Sequence, residues 1–280
     1  MKLPVETRAK ILHQLVEGSS MRSITRLYGV SINTVAKLIR DVGHACQNFH
    51  DIHVQGLKPT RIVMDEVFAF VGSREKNTPE HKQNIAGTVW TWVCMDPDSK
   101  LVIAWYSGNR DIYAADTFTS DVAWRIKSDR ISLTTDGLTT YVESVNKAFN
   151  IQLDYATVTK LYGKERSRDN ETKGKHLRYV GCEKEVVFGS PNLKYASTSL
   201  IERHNLNLRM CNRRFTRKTN AHSKKMEKHF YSLAITYTYL NFVRVHTTTR
   251  VTPAMHAGIL KRPLTFKDLV LLTEKIYYKT

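Results

Sequence analysis

Residues 60–72, TRIVMDEVFAFVG, constrain the fold more than any other stretch of the chain. The run is β-branched and aromatic and reads as a strand of a core sheet, yet it carries an acid, Asp65, among apolar neighbours. Burying a carboxylate there is costly unless a metal, a cation or hydrogen bonds satisfy it. On an edge strand it would face water instead, and Glu66 beside it would point to the opposite side of the same strand. The pattern continues with IAGTVWTWVCMDPDSKLVIAWYSG, two strands about the turn DPDSK. DIYAADTFTSDVAWRIKS spaces Ala114, Phe118, Val122 and Ile126 as a helix. RISLTTDGLTTY is a strand ending in a Gly turn, followed by a short helix to Phe149, and LDYATVTK reads as one more strand. A basic, poorly periodic stretch over about 160–196 leads to a helix around Glu202. A last apolar helix, MEKHFYSLAITYTYLNFVRV, packs through Phe230, Leu233, Tyr237 and Leu240. This order predicts an α/β fold, a mixed sheet flanked by helices.

The first fifty residues read differently, as three short helices. PVETRAKILHQLVEG has Ile11, Leu12, Leu15 and Val16 at helical spacing and stops at Gly18. SSMRSITRLYG follows, with Ser20 as N-cap and Ile24, Leu27 and Tyr28 inward; Gly29 then turns the chain into a helix capped by Ser31. A helix, a tight Gly turn and a second capped helix form the helix-turn-helix pattern. Val30, Val35 and Leu38 would pack inward, Asn33, Thr34 and Lys37 would face a DNA major groove, and Arg40 would lie nearer the backbone. Other three-helix arrangements mimic the pattern. The expected organisation is a helix-turn-helix domain over 1–50 and a catalytic domain over 51–280, with a basic insertion over about 160–196 and C-terminal helices.

Charge narrows the partners. Of the net +17, residues 160–228 carry most, with 18 basic and 7 acidic side chains, whereas 51–159 hold 11 and 14. A block of this kind attracts polyanions, nucleic acid above all, and no basic amphipathic anchor or lipidation signal favours a membrane surface. The four cysteines stand singly, without C-x-x-C pairs, which suits free thiols in a reducing compartment rather than disulfides or zinc. With no secretory signal and no run of about eighteen apolar residues, a cytoplasmic location is expected.

Two further acids join Asp65. Asp136 closes a strand at LTTDGL, where a strand end opens toward a ligand crevice, although Asp before Gly is also an ordinary turn pair. Glu202 lies at the start of a basic helix in which Glu202, Asn205, Arg209 and Arg213 share a polar face beside the apolar Ile201, Leu208, Cys211 and Phe215. It reads either as a surface acid paired with an Arg or as part of a site. The acids lie 71 and 66 residues apart and meet only through folding. Three carboxylates converging from two strands and a helix can hold two Mg²⁺ or Mn²⁺ ions roughly 4 Å apart for phosphoryl transfer, and hard oxygen donors suit those ions better than zinc.

DEVFAFVGSREKN, TTDGLTTY and IERHNLNLRMCNRRFTRKTNAHSKK resemble the core of the bacterial insertion-sequence-1 type transposases, and YTYLNFVRVHTTTRVTPAMHAG resembles the end of many DDE transposases and integrases. The likeness covers about residues 60–258. It implies a ribonuclease-H-like fold and Mg²⁺-dependent cutting and joining of DNA, with Asp65, Asp136 and Glu202 matching the family triad. Asn205, Arg209, Arg213 and Arg214 fall in the family's basic helix, where DNA contact is implied. Lys and Arg side chains of 160–228, Arg217 and Lys218 among them, would contact phosphates. Members often begin with a Cys-rich, zinc-finger-like segment, which this chain lacks. His246 would pack or contact DNA.

The expected function is therefore a DNA transposase that binds terminal inverted repeats and target DNA as a homo-oligomer. Alternatives are a DNA-binding regulator that uses the core only as a scaffold, and a nuclease of the same fold. A serine recombinase usually carries its helix-turn-helix after the catalytic domain, the reverse of this order.

Overall fold

The computed structural model describes residues 3–82, 86–164, 177–216 and 219–277. The chain opens with helix α1 (Val5–Val16) and α2 (Met21–Tyr28), whose Ser20 cap accepts the Ser23 N–H at 3.0 Å. Gly29 takes φ 62°, a left-handed turn that L side chains resist, and α3 (Ile32–His53) starts from Ser31, which accepts the Thr34 N–H at 3.1 Å. These are the caps and turn read from the sequence. Leu27, expected inward, is 66% exposed, because Ile24 alone fills the inner face of the eight-residue α2.

Among the described residues six strands form one sheet in the order β3-β2-β1-β4-β5-β6. They are β1 (Arg61–Val71), β2 (Gly87–Met95), β3 (Val102–Gly108), β4 (Arg130–Thr135), β5 (Gln152–Lys164) and β6 (Leu177–Phe188). β1 runs antiparallel to β2 and parallel to β4, and β4 runs parallel to β5. Helices α4 (Ile112–Arg125) and α5 (Thr140–Ala148) connect β3 to β4 and β4 to β5; α6 (Ser199–Cys211), α7 (Met226–Thr238), α8 (Pro253–His256) and α9 (Phe266–Tyr277) complete the chain. This is the mixed sheet flanked by helices expected of a ribonuclease-H-like fold. Among the described residues no helix is long and apolar enough to cross a membrane.

LDYATVTK forms most of β5, as read, and the poorly periodic stretch holds the end of β5 and all of β6, its antiparallel partner. The register of the pair shifts between Leu161 and Tyr162, which resets the in-out alternation where the strand pattern was lost.

Strand alternation sorts β1 between two cores. Val63, Val67 and Ala69 join a cluster with residues of α1, α2, α3, α6, α7 and α9, while Ile62 and Met64 join one with α4 and α5. The helix-turn-helix thus shares a core with the sheet. Its long helix α3 runs past the expected end at Gly43 because Val42, Ala45, Cys46 and His50 are all buried. On α7 the buried line is His229, Leu233 and Tyr237; Phe230, expected in that line, is one position off it and 41% exposed. After α7 a π-helical turn, Tyr239–Val243, aims the Asn241 amide at edge strand β3. It donates to the Val102 carbonyl at 2.8 Å and accepts the Val102 N–H at 2.9 Å, closing part of an otherwise open edge.

Gly43 is where α3 meets α7. A Cβ there would lie 2.7 Å from Tyr231 Cα and 2.8 Å from its carbonyl oxygen. Gly→Ala in a helix open to solvent gains stability through propensity. Here the backbone contact reverses the sign: Gly43→Ala is expected to cost about 1–3 kcal/mol in urea unfolding, as overpacking does.

Candidate active site

Asp65 and Asp136 come level through a parallel register. β1 and β4 pair Val63 with Thr134, and two residues further on stand Asp65, within β1, and Asp136, just past the end of β4. Glu202 arrives from the first turn of α6, on the face of the sheet to which Asp65 belongs. The link between that helix and the strand is Asn205, one turn after Glu202, whose amide donates to Asp65 Oδ2 at 2.8 Å. Asn205, for which the resemblance implied a DNA contact, is 3% exposed and holds an acid instead of standing at the surface.

The site holds more negative charge than its surroundings neutralise. Burial, followed by the nearby Glu66, Asp136 and Glu202, pushes the Asp65 carboxyl up to about 7. Glu66, its side chain 1% exposed on the opposite face of β1, is likewise pushed up to about 7, by burial and then by Asp136. Two cations answer part of this charge. Arg110 reaches Glu66 at 3.0 Å and Asp136 at 3.6 Å, with its guanidinium 4.7 Å from the Trp90 ring centre. Trp92 steadies the loop before it by donating to the Asn109 carbonyl at 3.0 Å. Lys160, from β5, is ion-paired with Glu202, whose other oxygen accepts the Thr198 hydroxyl at 2.7 Å. Asp136 also caps its own turn, accepting the Leu138 N–H at 3.0 Å. The turn reading of that residue is thus observed directly.

In donor chemistry the acids suit a hard divalent cation: all are carboxylates, and Asp65 carries repulsion that such an ion would relieve. Their placement does not yet make a cage. Among the described residues no three His, Cys, Asp or Glu side chains stand close enough to hold a metal ion. The expected triad converges on one region, but Glu202 is engaged by Lys160 and Thr198. Arg110 was missed in the sequence, and Lys160 was read only as one of the phosphate-contacting cations of 160–228, because nothing local links either to the acids that folding brings to them.

The expected DNA contacts divide. Asn33, Lys37 and Arg40 are exposed along one side of α3, with Lys37 and Arg40 both near Asp41 at 2.7 and 3.2 Å; Thr34 is half-buried beside its Ser31 cap. Arg209 is half-buried on α6. Arg213 is exposed but lies beyond the helix, which ends at Cys211. The side chain of Asn212 takes over there, accepting the Arg214 N–H at 3.1 Å and donating to Thr236 Oγ1 at 3.0 Å. Arg214 is half-buried and turned inward, donating to Ser223 Oγ at 2.9 Å. Arg217 and Lys218 lie outside the described residues. His246 accepts the Thr248 N–H at 3.2 Å and so braces its own turn.

No protein-family model matches the chain, and no curated protein matches it. Solved structures similar to it include a piggyBac transposase synaptic complex with hairpin DNA, 12% identical over 98% of this chain and 72% of that one, at a TM-score of 0.38. A Mos1 strand transfer complex is 7% identical over 98% and 76%, at 0.33. A Mos1 mariner paired-end complex with Mn is 10% identical over 55% and 59%, at 0.22. Likeness this distant decides nothing about the chemistry of this chain.

The raised Asp65 carboxyl has a consequence for stability. Unfolded, Asp65 releases its proton near 4, and folded, near 7. The folded state thus holds the extra proton between those values, and stability falls as pH rises through that window. In a chelator, Asp65→Asn is expected to leave stability unchanged near pH 4 and to raise it by on the order of 1–3 kcal/mol at pH 8. Urea titrations across this range measure it, and a difference independent of pH would remove the assignment.

Proposed function

We propose that the chain is a DDE-type DNA transposase, of the insertion-sequence-1 kind that its motifs resemble, acting on terminal inverted repeats. The observation that carries the reading is that Asp136, just past β4, and Glu202, on α6, come near enough to Asp65 of β1 for their charge to act on it, across separations of 71 and 66 residues. A DNA-binding regulator has no use for an excess of buried carboxylate that costs stability.

Asp65, Asp136 and Glu202 would hold Mg²⁺ or Mn²⁺ once Glu202 leaves Lys160. Bound there, such ions supply Lewis acidity for an attacking water or 3′-hydroxyl and for the leaving oxygen. Asn205 keeps the Asp65 carboxylate oriented, and Arg110 holds Asp136 and Glu66 against mutual repulsion. Released from Glu202, Lys160 is free to meet a phosphate. Asn33, Lys37 and Arg40 on the exposed side of α3 would read or grip the element's ends, with Thr34 at its start. Joining two DNA ends to a target calls for more than one copy, so the working form is a homo-oligomer on DNA in the cytoplasm.

The test is a cleavage and strand-transfer assay on duplexes carrying the element's terminal repeats, with and without Mg²⁺. Wild type is expected to give metal-dependent joined products. Asp65→Asn, Asp136→Asn and Glu202→Gln should each lose about a hundredfold or more in rate with DNA binding intact. Cutting without joining would identify a nuclease, and binding without products from wild type a regulator. Lys160→Met is expected to tighten Mn²⁺ binding roughly tenfold by calorimetry, since it removes the cation competing for Glu202.

A further inference from the structure

A cleft of about 730 Å³ lies between the helix-turn-helix and the corner joining α6 to α7. Its walls are apolar, with Leu15, Val16 and Ile39 on one side and Ile235 on the other. Six cations line it, Arg22, Arg213, Arg214, Lys224, Lys225 and Lys228, and no Asp or Glu is among the lining residues. Arg214 is the deepest of these. Of its five donors, one hydrogen-bonds Ser223 Oγ at 2.9 Å and another faces the weak acceptor Met21 Sδ at 3.8 Å. Among the described residues no carboxylate pairs with it, and burial alone pulls its guanidinium down to about 10. A half-buried cation with no carboxylate beside it is costly to hold, and an anion entering the cleft would offset that cost.

The position of the cleft suggests where the anion comes from. On α3, Ile32, Ala36 and Ile39 line it, each one residue before Asn33, Lys37 and Arg40. One residue is about 100° around a helix, so the cleft opens beside the exposed side of α3. A duplex presenting its bases to that side carries its phosphates to the cationic rim.

We propose that this cleft is a phosphate-binding site for the backbone of the DNA that α3 reads, with Arg214 at its floor and Arg22 and Lys228 at its walls. It clamps the DNA between the helix-turn-helix and the α6–α7 corner, and so ties recognition to the helix that bears Glu202. The inference rests on the DNA-binding half of the function above and not on catalysis.

The experiment uses the full chain in chelator, so an inactive enzyme gives the same readings as an active one. Binding of a fluorescent terminal-repeat duplex is followed by anisotropy across a KCl series, and thermal unfolding is followed with and without inorganic phosphate at constant ionic strength. For Arg22→Gln/Lys228→Gln, the slope of log affinity against log salt is expected to fall by about 2, one contact for each side chain. Arg214→Met is expected to keep or raise the Tm, to weaken DNA binding, and to abolish the Tm increase that phosphate gives wild type. Unchanged salt slopes in both variants would overturn the proposal, whether or not phosphate still protects. So would a fall in Tm for Arg214→Met with DNA affinity intact, which is the signature of a purely structural arginine.

Discussion

β1 pairs with β2 from Val63 to Phe70 and with β4 from Arg61 to Val63, so Asp65 and Glu66 stand just past the end of the parallel pairing, and that placement governs the rest of the molecule. A strand offers its side chains alternately to the two faces of the sheet. Asp65 and Glu66 are consecutive, so one carboxylate enters each face, and neither reaches bulk water easily. The sheet gains two apolar surfaces from the alternating residues around them and holds, at its centre, charge that it cannot solvate.

The remaining features of the site answer that charge. Asn205 hydrogen-bonds Asp65, Arg110 bridges Glu66 and Asp136 across the opposite face, and Lys160 occupies Glu202. Each of these partners comes from a different element. The site is therefore stable only when the whole sheet and α6 are assembled, and its excess negative charge is stored in tertiary structure. The basic residues repeat this logic with the sign reversed: Arg214 is half-buried, with no carboxylate paired to it among the described residues, in a cleft that two parts of the chain build together. Such uncompensated charge is what a protein prepared for an ionic partner retains, and it explains how acids and cations can be concentrated within one chain without cancelling.

The α3–α7 contact makes this arrangement one body. The absence of a side chain at Gly43 lets the helix backbones approach, so the helix-turn-helix is packed into the same core as Val63 and Val67 of β1. The exposed side of α3 and the carboxylate cluster rest on a shared core and can influence each other through packing, which two units joined by a loose linker cannot do.

Local rules were enough for much of this. Ser20, Gly29 and Ser31 set the helix-turn-helix because caps and left-handed turns depend on a few adjacent residues. The runs that became β1 to β4 were legible from composition and alternation, and Asp65 stood out as an acid inside such a run. The first part of β5 was legible as well, whereas its end, beyond the register shift at Leu161/Tyr162, and β6 could not be read. Helix faces were read well only where packing followed simple spacing; Leu27 and Phe230 look apolar in sequence and are exposed because their inner positions are filled by neighbours. The sequence by itself determined the elements, their order, the three acids and the sign of the charge. Only the tertiary structure decided that Asn205 and Arg214 turn inward, that Arg110 and Lys160 serve the acids, and that a cationic cleft lies beside α3. Those outcomes depend on distances between residues far apart in the chain, and no local propensity encodes such a distance.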